Sequence, residues 1–125
     1  MKKLLALALT LIAASVMGAE FPDISVADLK AAIADKKVTV IDVNGSDSYK
    51  AGHVPGAIDF AANADLSGLP SDKSALVVAY CGGPGCNAYQ AAAKKAAALG
   101  YTNVKHLTVG KSGWAKAGEK LEPAK

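Results

Sequence analysis

Arginine is absent from this sequence of 125 residues, so all 14 of its basic residues are lysines. Lysine carries a point charge on a flexible stem and cannot reproduce the planar fork with which arginine binds an oxyanion through two hydrogen bonds. Aromatic residues are also scarce, with two Phe, one Trp and four Tyr. Hydrophobic residues make up 51% of the chain, but 26 of them are alanines, so the core must be small and tightly packed.

Other absences limit the architectures that this chain can form. The sequence has no internal repeat, no low-complexity run and no block of like charges, and its composition is that of a globular protein. A chain of this length forms one domain by the usual size of roughly 100–200 residues. We therefore exclude separate catalytic and regulatory domains and expect a single domain over residues 20–125.

Residues 1–19 have the layout of a secretory signal peptide. Two lysines at positions 2 and 3 precede an apolar stretch, residues 4–17, which is shorter than the roughly 20 residues that a membrane-spanning helix needs. The alternative is an uncleaved N-terminal anchor, which would also place the domain outside the cytoplasm. We therefore expect an exported, periplasmic protein.

The overall charge says little about partners. Without residues 1–19, 12 lysines stand against 11 acidic residues, and the net charge falls from +3 to +1. A nearly neutral domain lacks the basic surface that polyanions attract. We expect no nucleic-acid partner and, after cleavage of the signal, no membrane partner.

Helical and strand patterns alternate along the rest of the chain. Residues 25–28 fit a capping box that opens a helix reaching about Lys36, and the apolar, β-branched residues 38–43 are typical of a strand buried on both faces of a parallel sheet. The other predicted elements are helices over residues 46–51, 87–99 and 112–117 and strands over 57–60, 75–80 and 104–107. This alternation predicts an α/β fold with a mainly parallel sheet.

The most informative segment lies between the strand at 75–80 and the helix at 87–99. It reads Tyr80-Cys81-Gly82-Gly83-Pro84-Gly85-Cys86-Asn87. In open α/β sheets, chemistry is expected just beyond the carboxyl ends of strands, where Cys81 stands. Its glycines allow successive N–H groups to turn inward as an anion-binding nest, which favours the nucleophilic thiolate. The segment predicts either a catalytic cysteine or a glycine-rich turn with a structural cysteine pair.

Further residues match, in order, the signatures of a known family. They are residues 40–43, 49–58, 77–81, 91–99 and 100–104, then Leu107, Gly110, Gly113, Trp114, Ala117 and Gly118. Over roughly residues 24–118 they resemble the rhodanese family of sulfurtransferases. The resemblance implies a single rhodanese-like domain, whose small, mainly parallel sheet is flanked by helices on both faces.

The resemblance also implies a function. Cys81 would take a sulfane sulfur from a donor such as thiosulfate or a polysulfide, become a persulfide, and pass the sulfur to a thiol or a cyanide-like acceptor. The backbone amides of the loop would stabilise the negative charge of the persulfide. The loop residues are Gly82, Gly83, Pro84, Gly85, Cys86 and Asn87. The expected partners are a small sulfur-containing substrate and, as a candidate acceptor, a protein thiol, with no cofactor.

Two departures from the family pattern bear on the substrate. Many relatives end the catalytic loop with Arg where this chain has Cys86, and Asn44 replaces the Arg commonly found after the Asp-Val of the first signature. The guanidinium fork for an oxyanion is therefore missing, which argues against thiosulfate as the physiological donor. It also argues against a cysteine-dependent phosphatase or arsenate reductase, since both depend on an Arg near the end of the loop.

Cys86 has three interpretations. It attacks the Cys81 persulfide, which releases sulfide and leaves a disulfide; it forms a static disulfide; or it is an incidental buried thiol. Two alternatives to the enzyme follow: a sulfur carrier or binding module without efficient turnover, and a thiol–disulfide redox protein that uses Cys81 and Cys86.

Two polar residues, Asp42 and His53, are candidates for supporting roles. Asp42, at a strand end, orients loop amides or makes an ordinary polar contact, and His53, in a Gly-His-Val-Pro-Gly turn, is expected to be structural rather than a general base. His106 is expected at a strand end or on the surface. Lys111 is expected on a loop, as a solvated lysine or as a source of positive potential. No histidine has metal-ligand spacing to the cysteines, so we expect no metal.

Overall fold

A computed structural model of the protein describes residues 21–124, so the predicted signal peptide, residues 1–19, lies outside the described part of the chain. The elements in chain order are α1 (Val26–Ala34), β1 (Val38–Asp42), α2 (Ser46–Ala51), β2 (Ile58–Asp59), β3 (Leu76–Tyr80), α3 (Tyr89–Ala98), β4 (Val104–His106) and α4 (Gly110–Lys116). Each corresponds to a predicted element. None of the helices among these residues is both long enough and apolar enough to cross a bilayer.

The boundaries of α1 show how local chemistry sets them. The Ser25 hydroxyl accepts a hydrogen bond from the Asp28 N–H at 3.0 Å, so the predicted N-cap is confirmed. The helix ends at Ala34, two residues before the predicted end. Lys36 has a φ of 58°, in the left-handed region that closes helices and that no residue inside a helix adopts.

The four strands form one sheet in the order β2-β1-β3-β4, and every pair is parallel. Val40 pairs with Val78 in the centre of the sheet, and Ala79 pairs with His106 on the other side of β3. The predicted mainly parallel sheet is thus confirmed as an all-parallel one. All carboxyl ends of the strands therefore meet at one edge.

Helices cover both faces of the sheet, as predicted. Side chains alternate along β3, so Val77 and Ala79 pack with the alanines of α3. Val78 and Tyr80 face the other way and pack in a second cluster with Leu29 of α1 and Trp114 of α4, among others. Cys81 continues the alternation of Val77 and Ala79 and belongs to the cluster on the α3 face.

Candidate active site

The site forms at the carboxyl edge of the sheet, where the residues that follow β1 and β3 come together. The Val43 N–H donates to the Tyr80 carbonyl at 3.1 Å and joins the two strand ends. The Asn44 Oδ1 atom lies 3.4 Å from the point where a Cβ on Gly82 would stand. Asn44 is therefore a neighbour of the loop that begins at Cys81.

Cys81 is the buried sulfur of the site. Only 1% of the residue is exposed, and its Sγ atom accepts a hydrogen bond from the Tyr89 N–H, with 3.1 Å between nitrogen and sulfur. Tyr89 is the first residue of α3, where backbone N–H groups have no partner within the helix and carry the positive end of its dipole. This contact stabilises a negatively charged sulfur at position 81.

The start of α4 fixes the orientation of the loop. The Lys111 N–H donates to the Cys81 carbonyl at 2.9 Å, and the Ser112 N–H donates to the Gly82 carbonyl at 2.8 Å. In a trans peptide, the carbonyl and the following N–H point in opposite directions. The N–H groups of Gly82 and Gly83 are therefore directed away from α4, as an anion-binding nest requires.

Gly110 permits this close contact. A Cβ built on Gly110 would stand 2.5 Å from the Gly83 nitrogen and 2.8 Å from the Cys81 carbonyl oxygen. Gly110 also has a φ of 65°, in the left-handed region that favours glycine. No other residue type fits here without displacing the loop.

The structure pairs Cys81 and Cys86 in a disulfide across the loop. Their Cα atoms lie 6.1 Å apart, within the usual range for bridged cysteines. Cys86 is only partly buried, and it packs against the cluster that contains Cys81, while Gly82, Pro84 and Gly85 between the two are exposed. Of the two sulfur-bearing residues, Cys86 is therefore the one nearer to solvent.

Asp42 is fully buried behind the loop and holds a hydrogen-bond network. One carboxylate oxygen accepts the Asn44 N–H at 2.8 Å, and the other accepts the Tyr80 hydroxyl at 2.6 Å. The Tyr80 hydroxyl in turn accepts the Val54 N–H at 2.9 Å. Burial and the neighbouring Asp42 carboxylate raise the pKa of Tyr80 far above its ordinary value, so the hydroxyl stays protonated. The network positions Asn44 and the turn after α2.

The ring and the backbone of His53 both make contacts within the fold. Its Nδ1 atom lies 2.8 Å from the Tyr49 carbonyl, its ring stacks on the Tyr49 ring with 3.8 Å between centroids, and its Nε2 atom lies 3.9 Å from a Glu122 carboxylate oxygen. Its backbone also exchanges hydrogen bonds with Glu122. These contacts tie His53 to Tyr49 and Glu122, not to Cys81.

His106 and Lys111 differ from their predicted surroundings. His106 ends β4 but is only 7% exposed, because its ring stacks on Tyr89 with 3.4 Å between centroids. The surface alternative was wrong; alternation from the buried Val104 would have placed His106 inside. Lys111 lies on α4 and is partly buried, and its Nζ atom donates to the backbone and side-chain oxygens of Ser48, each at 3.0 Å. The expected solvated loop lysine is therefore a fixed helix residue.

Two further clefts lie away from Cys81. One, of about 330 Å³, is at the amino edge of the sheet near Lys37 and Pro70, and another, of about 380 Å³, lies beside Pro55 and Trp114. Within the described part of the chain, no group of three or more His, Cys, Asp or Glu residues is arranged to hold a metal ion.

The chain matches the model of a protein family and is similar to a curated protein. The model of a family described as "Rhodanese-like domain" matches residues 25–117. Among curated proteins, the chain is similar to an HTH-type transcriptional regulator of Mycobacterium tuberculosis strain H37Rv, with 38% identity over 109 residues that cover 85% of this chain and 47% of the regulator. The chain thus spans about half the length of this relative.

Solved structures share the architecture. A protein from Bacillus halodurans is 32% identical with a TM-score of 0.65, over 82% of this chain and 77% of that one. A 3-mercaptopyruvate sulfotransferase from Escherichia coli is 21% identical with a TM-score of 0.66, over 84% of this chain and 51% of that one. The second likeness shows that this chain shares the fold of that protein.

The contact between Gly110 and the loop predicts the effect of a methyl group. We expect Gly110→Ala to lower the free energy of unfolding by about 3 kcal/mol or more, because it adds overpacking to the cost of a positive φ. Gly118→Ala is the matched control, since Gly118 has a φ of 86° but nothing within 4 Å of the added Cβ. It should cost only about 1 kcal/mol. Urea denaturation measures both, and equal losses would contradict the role of the contact.

The buried tyrosine network predicts a pH-dependent stability. We expect Tyr80→Phe to lower the free energy of unfolding by about 2–3 kcal/mol, because Asp42 and Val54 each lose a buried partner. Tyr101→Phe, which removes one hydroxyl bond to the Pro70 carbonyl, should cost about 1 kcal/mol.

The sign of the pH effect follows from the raised pKa of Tyr80. The stabilisation is complete below the ordinary pKa of 10.0 and is lost as pH rises above it, since the unfolded chain then releases a proton that the folded chain keeps. The difference in stability between wild type and Tyr80→Phe should therefore shrink between pH 9 and 11. A constant difference over that range would show that the fold does not hold this proton.

Proposed function

The chain belongs to the family of rhodanese-like domains, as its sequence predicts, and we propose that it is a sulfurtransferase that moves sulfane sulfur through a persulfide on Cys81. The observation that carries the proposal is the environment of the Cys81 Sγ atom. The Sγ atom accepts a hydrogen bond from the Tyr89 N–H, the first of α3. Cys81 also begins a loop whose first two carbonyls point toward α4. A negative charge on this sulfur, or on a second sulfur bound to it, is stabilised by groups that need no rearrangement.

The proposed reaction has two displacements. The Cys81 thiolate attacks the sulfane sulfur of a donor, the sulfur–sulfur bond of the donor breaks, and the donor leaves with the electron pair as a thiolate, a sulfinate or sulfite. The acceptor, a thiol or cyanide, then attacks the terminal sulfur of the persulfide. Cys81 leaves as a thiolate, and the Tyr89 N–H stabilises it in this role.

The residues around the loop argue against thiosulfate as the sulfur donor. The neutral side chain of Asn44 lies beside the loop, with its Oδ1 atom 3.4 Å from the point where a Cβ on Gly82 would stand. Its buried Nδ2 atom has no hydrogen-bond partner among residues 21–124. The Lys111 ammonium is held by Ser48, and with no arginine in the chain, the sulfonate end of the thiosulfate dianion has no guanidinium to bind. We therefore favour a polysulfide or a thiosulfonate as the sulfur donor.

The setting of the reaction is also a proposal. If residues 1–19 act as a signal peptide, the protein works in the periplasm, and its acceptor is a small thiol or the thiol of another protein. No cofactor is needed, because the sulfur travels on Cys81 itself.

A second candidate is a sulfur carrier or binding module without efficient turnover. The observation that favours it is the match to a transcriptional regulator, of which the similar region is only about half. In such a protein, the persulfide or disulfide state of Cys81 would be recognised by a partner. Turnover with cyanide as acceptor distinguishes the enzyme from the carrier, which would transfer sulfur only to its own partner.

The persulfide is tested by intact mass. Reduced Cys86→Ser protein, treated with a thiosulfonate, should gain one sulfur atom and transfer it to cyanide as thiocyanate over many turnovers. Cys81→Ser is the matched control, since it keeps the other cysteine on the same loop and should gain no sulfur. A sulfur gain of equal size in both variants, or in neither, would refute Cys81 as the carrier of the persulfide.

The preference for donors is tested at Asn44. We expect Asn44→Arg to raise kcat/KM for thiosulfate about tenfold relative to a thiosulfonate, because a guanidinium beside Gly82 adds a charge-assisted hydrogen bond of about 1.5 kcal/mol. Asn44→Gln, which adds length without charge, is the control and should not raise kcat/KM for thiosulfate. No gain with Arg would mean that position 44 does not face the donor.

A further inference from the structure

We propose that Cys86 gives the Cys81 persulfide a reductive exit, in which the sulfane sulfur leaves as hydrosulfide and the two cysteines close into the disulfide that the structure holds. The inference rests on the proposed function, because it begins with the persulfide. It adds an activity, the reduction of sulfane sulfur to sulfide, which does not require an acceptor for sulfur.

The disulfide identifies the atom that Cys86 reaches. The sulfur bonded to Cys86 is the Sγ atom of Cys81, which is the inner sulfur of a Cys81 persulfide. Attack on the inner sulfur expels the outer one, whereas attack on the outer sulfur would only move the persulfide to Cys86. The geometry of residues 81–86 therefore favours the release of sulfide over a relay of sulfur along the loop.

Atoms and electrons balance in this step. The Cys86 thiol passes its proton to the terminal sulfur of the persulfide anion and, as a thiolate, forms a bond to the Cys81 Sγ atom. The bond between this atom and the terminal sulfur breaks, and hydrosulfide leaves with the electron pair and that proton. The sulfane sulfur gains two electrons, and the two cysteine sulfurs together lose two. The resulting disulfide must then be reduced by an external dithiol, which becomes a disulfide itself.

The exposure of the two cysteines gives the reduction a direction. Cys81 is 1% exposed, whereas Cys86 is partly exposed on a loop whose neighbouring residues face solvent. An external dithiol therefore reaches the Cys86 sulfur first, and Cys81 becomes the leaving group. The Tyr89 N–H bound to the Cys81 Sγ atom stabilises the thiolate that departs, so reduction restores the nucleophile.

The loop is arranged for the two sulfurs to meet. Lys111 and Ser112 hold the carbonyls of its first two residues, which fixes the start of the loop. Gly85 has a φ of 84°, and this left-handed conformation turns the chain immediately before Cys86. Held in this way, the Cys86 thiolate acts within the molecule and competes with acceptors in solution.

The experiment is a single turnover without added reductant. Reduced and desalted wild type, Cys86→Ser, Cys86→Ala and Cys81→Ser are each mixed with one equivalent of a thiosulfonate. This donor leaves as a sulfinate, so any sulfide that appears comes from the protein persulfide. Released sulfide is measured with time, and intact mass with thiol alkylation reports the state of both cysteines.

We expect wild type to release about one sulfide per chain and to end as a disulfide that resists alkylation. The two Cys86 variants should keep the added sulfur and release sulfide more than about tenfold more slowly, because they lack the intramolecular thiolate. Agreement between Ser and Ala guards against a folding defect in one of them. Cys81→Ser should neither take up sulfur nor release sulfide.

The other outcomes distinguish a failure of the reductive exit from a failure of the proposed function. If wild type keeps its persulfide as long as the Cys86 variants do, the reductive exit is wrong and the sulfurtransferase proposal stands. If peptide mapping finds the added sulfur on Cys86, the attack falls on the outer sulfur and the exit is likewise overturned. If no variant with an intact Cys81 takes up sulfur, the proposed function fails, and the further inference fails with it.

Discussion

Two hydrogen bonds from the first turn of α4 to the Cys81 and Gly82 carbonyls govern the site. They fix the peptide planes at the start of the loop, and with them the direction of the amides that follow. They form because Gly110 has no side chain and brings α4 against the loop. The chemistry of Cys81 thus depends on a backbone contact with an element that begins about 30 residues later in the chain.

A second constraint acts from behind the loop. The buried Asp42 carboxylate joins the end of β1, the end of β3 and the turn at Val54 through Tyr80. Buried polar networks of this kind are costly when incomplete and rigid when every member has a partner. The backbone of Asn44 is therefore held beside Gly82, and the side-chain Oδ1 atom lies next to that glycine.

The fold could be predicted from the sequence because its signals are local. Each of these signals lies within a few residues of the element it indicates. They are the β-branched residues of β1 and β3, the cap at Ser25 and the glycine after α3. The family signatures gave the order of these elements, and the loop with its two cysteines was visible as a pattern.

What the sequence did not show depends on contacts between distant residues. The burial of His106 depends on Tyr89, the placement of Lys111 on Ser48, and the need for glycine at position 110 on the loop that follows β3. Neighbouring residues signal only the first of these, through the alternation of β4 from Val104 to His106. The unpartnered amide of Asn44 likewise becomes visible only when the surrounding groups are in place.

The scarcity of large residues has a consequence for the sulfur. The face of α3 that meets the sheet is formed by Ala92, Ala93 and Ala96, all fully buried. Methyl groups therefore act as a spacer that sets how near the helix axis lies to the sheet. Since the first N–H of this helix binds the Cys81 sulfur, the volume of side chains three to seven residues along the helix affects the electrostatic potential at the reacting atom. The reactivity of Cys81 therefore depends in part on the thickness of the core between α3 and the sheet.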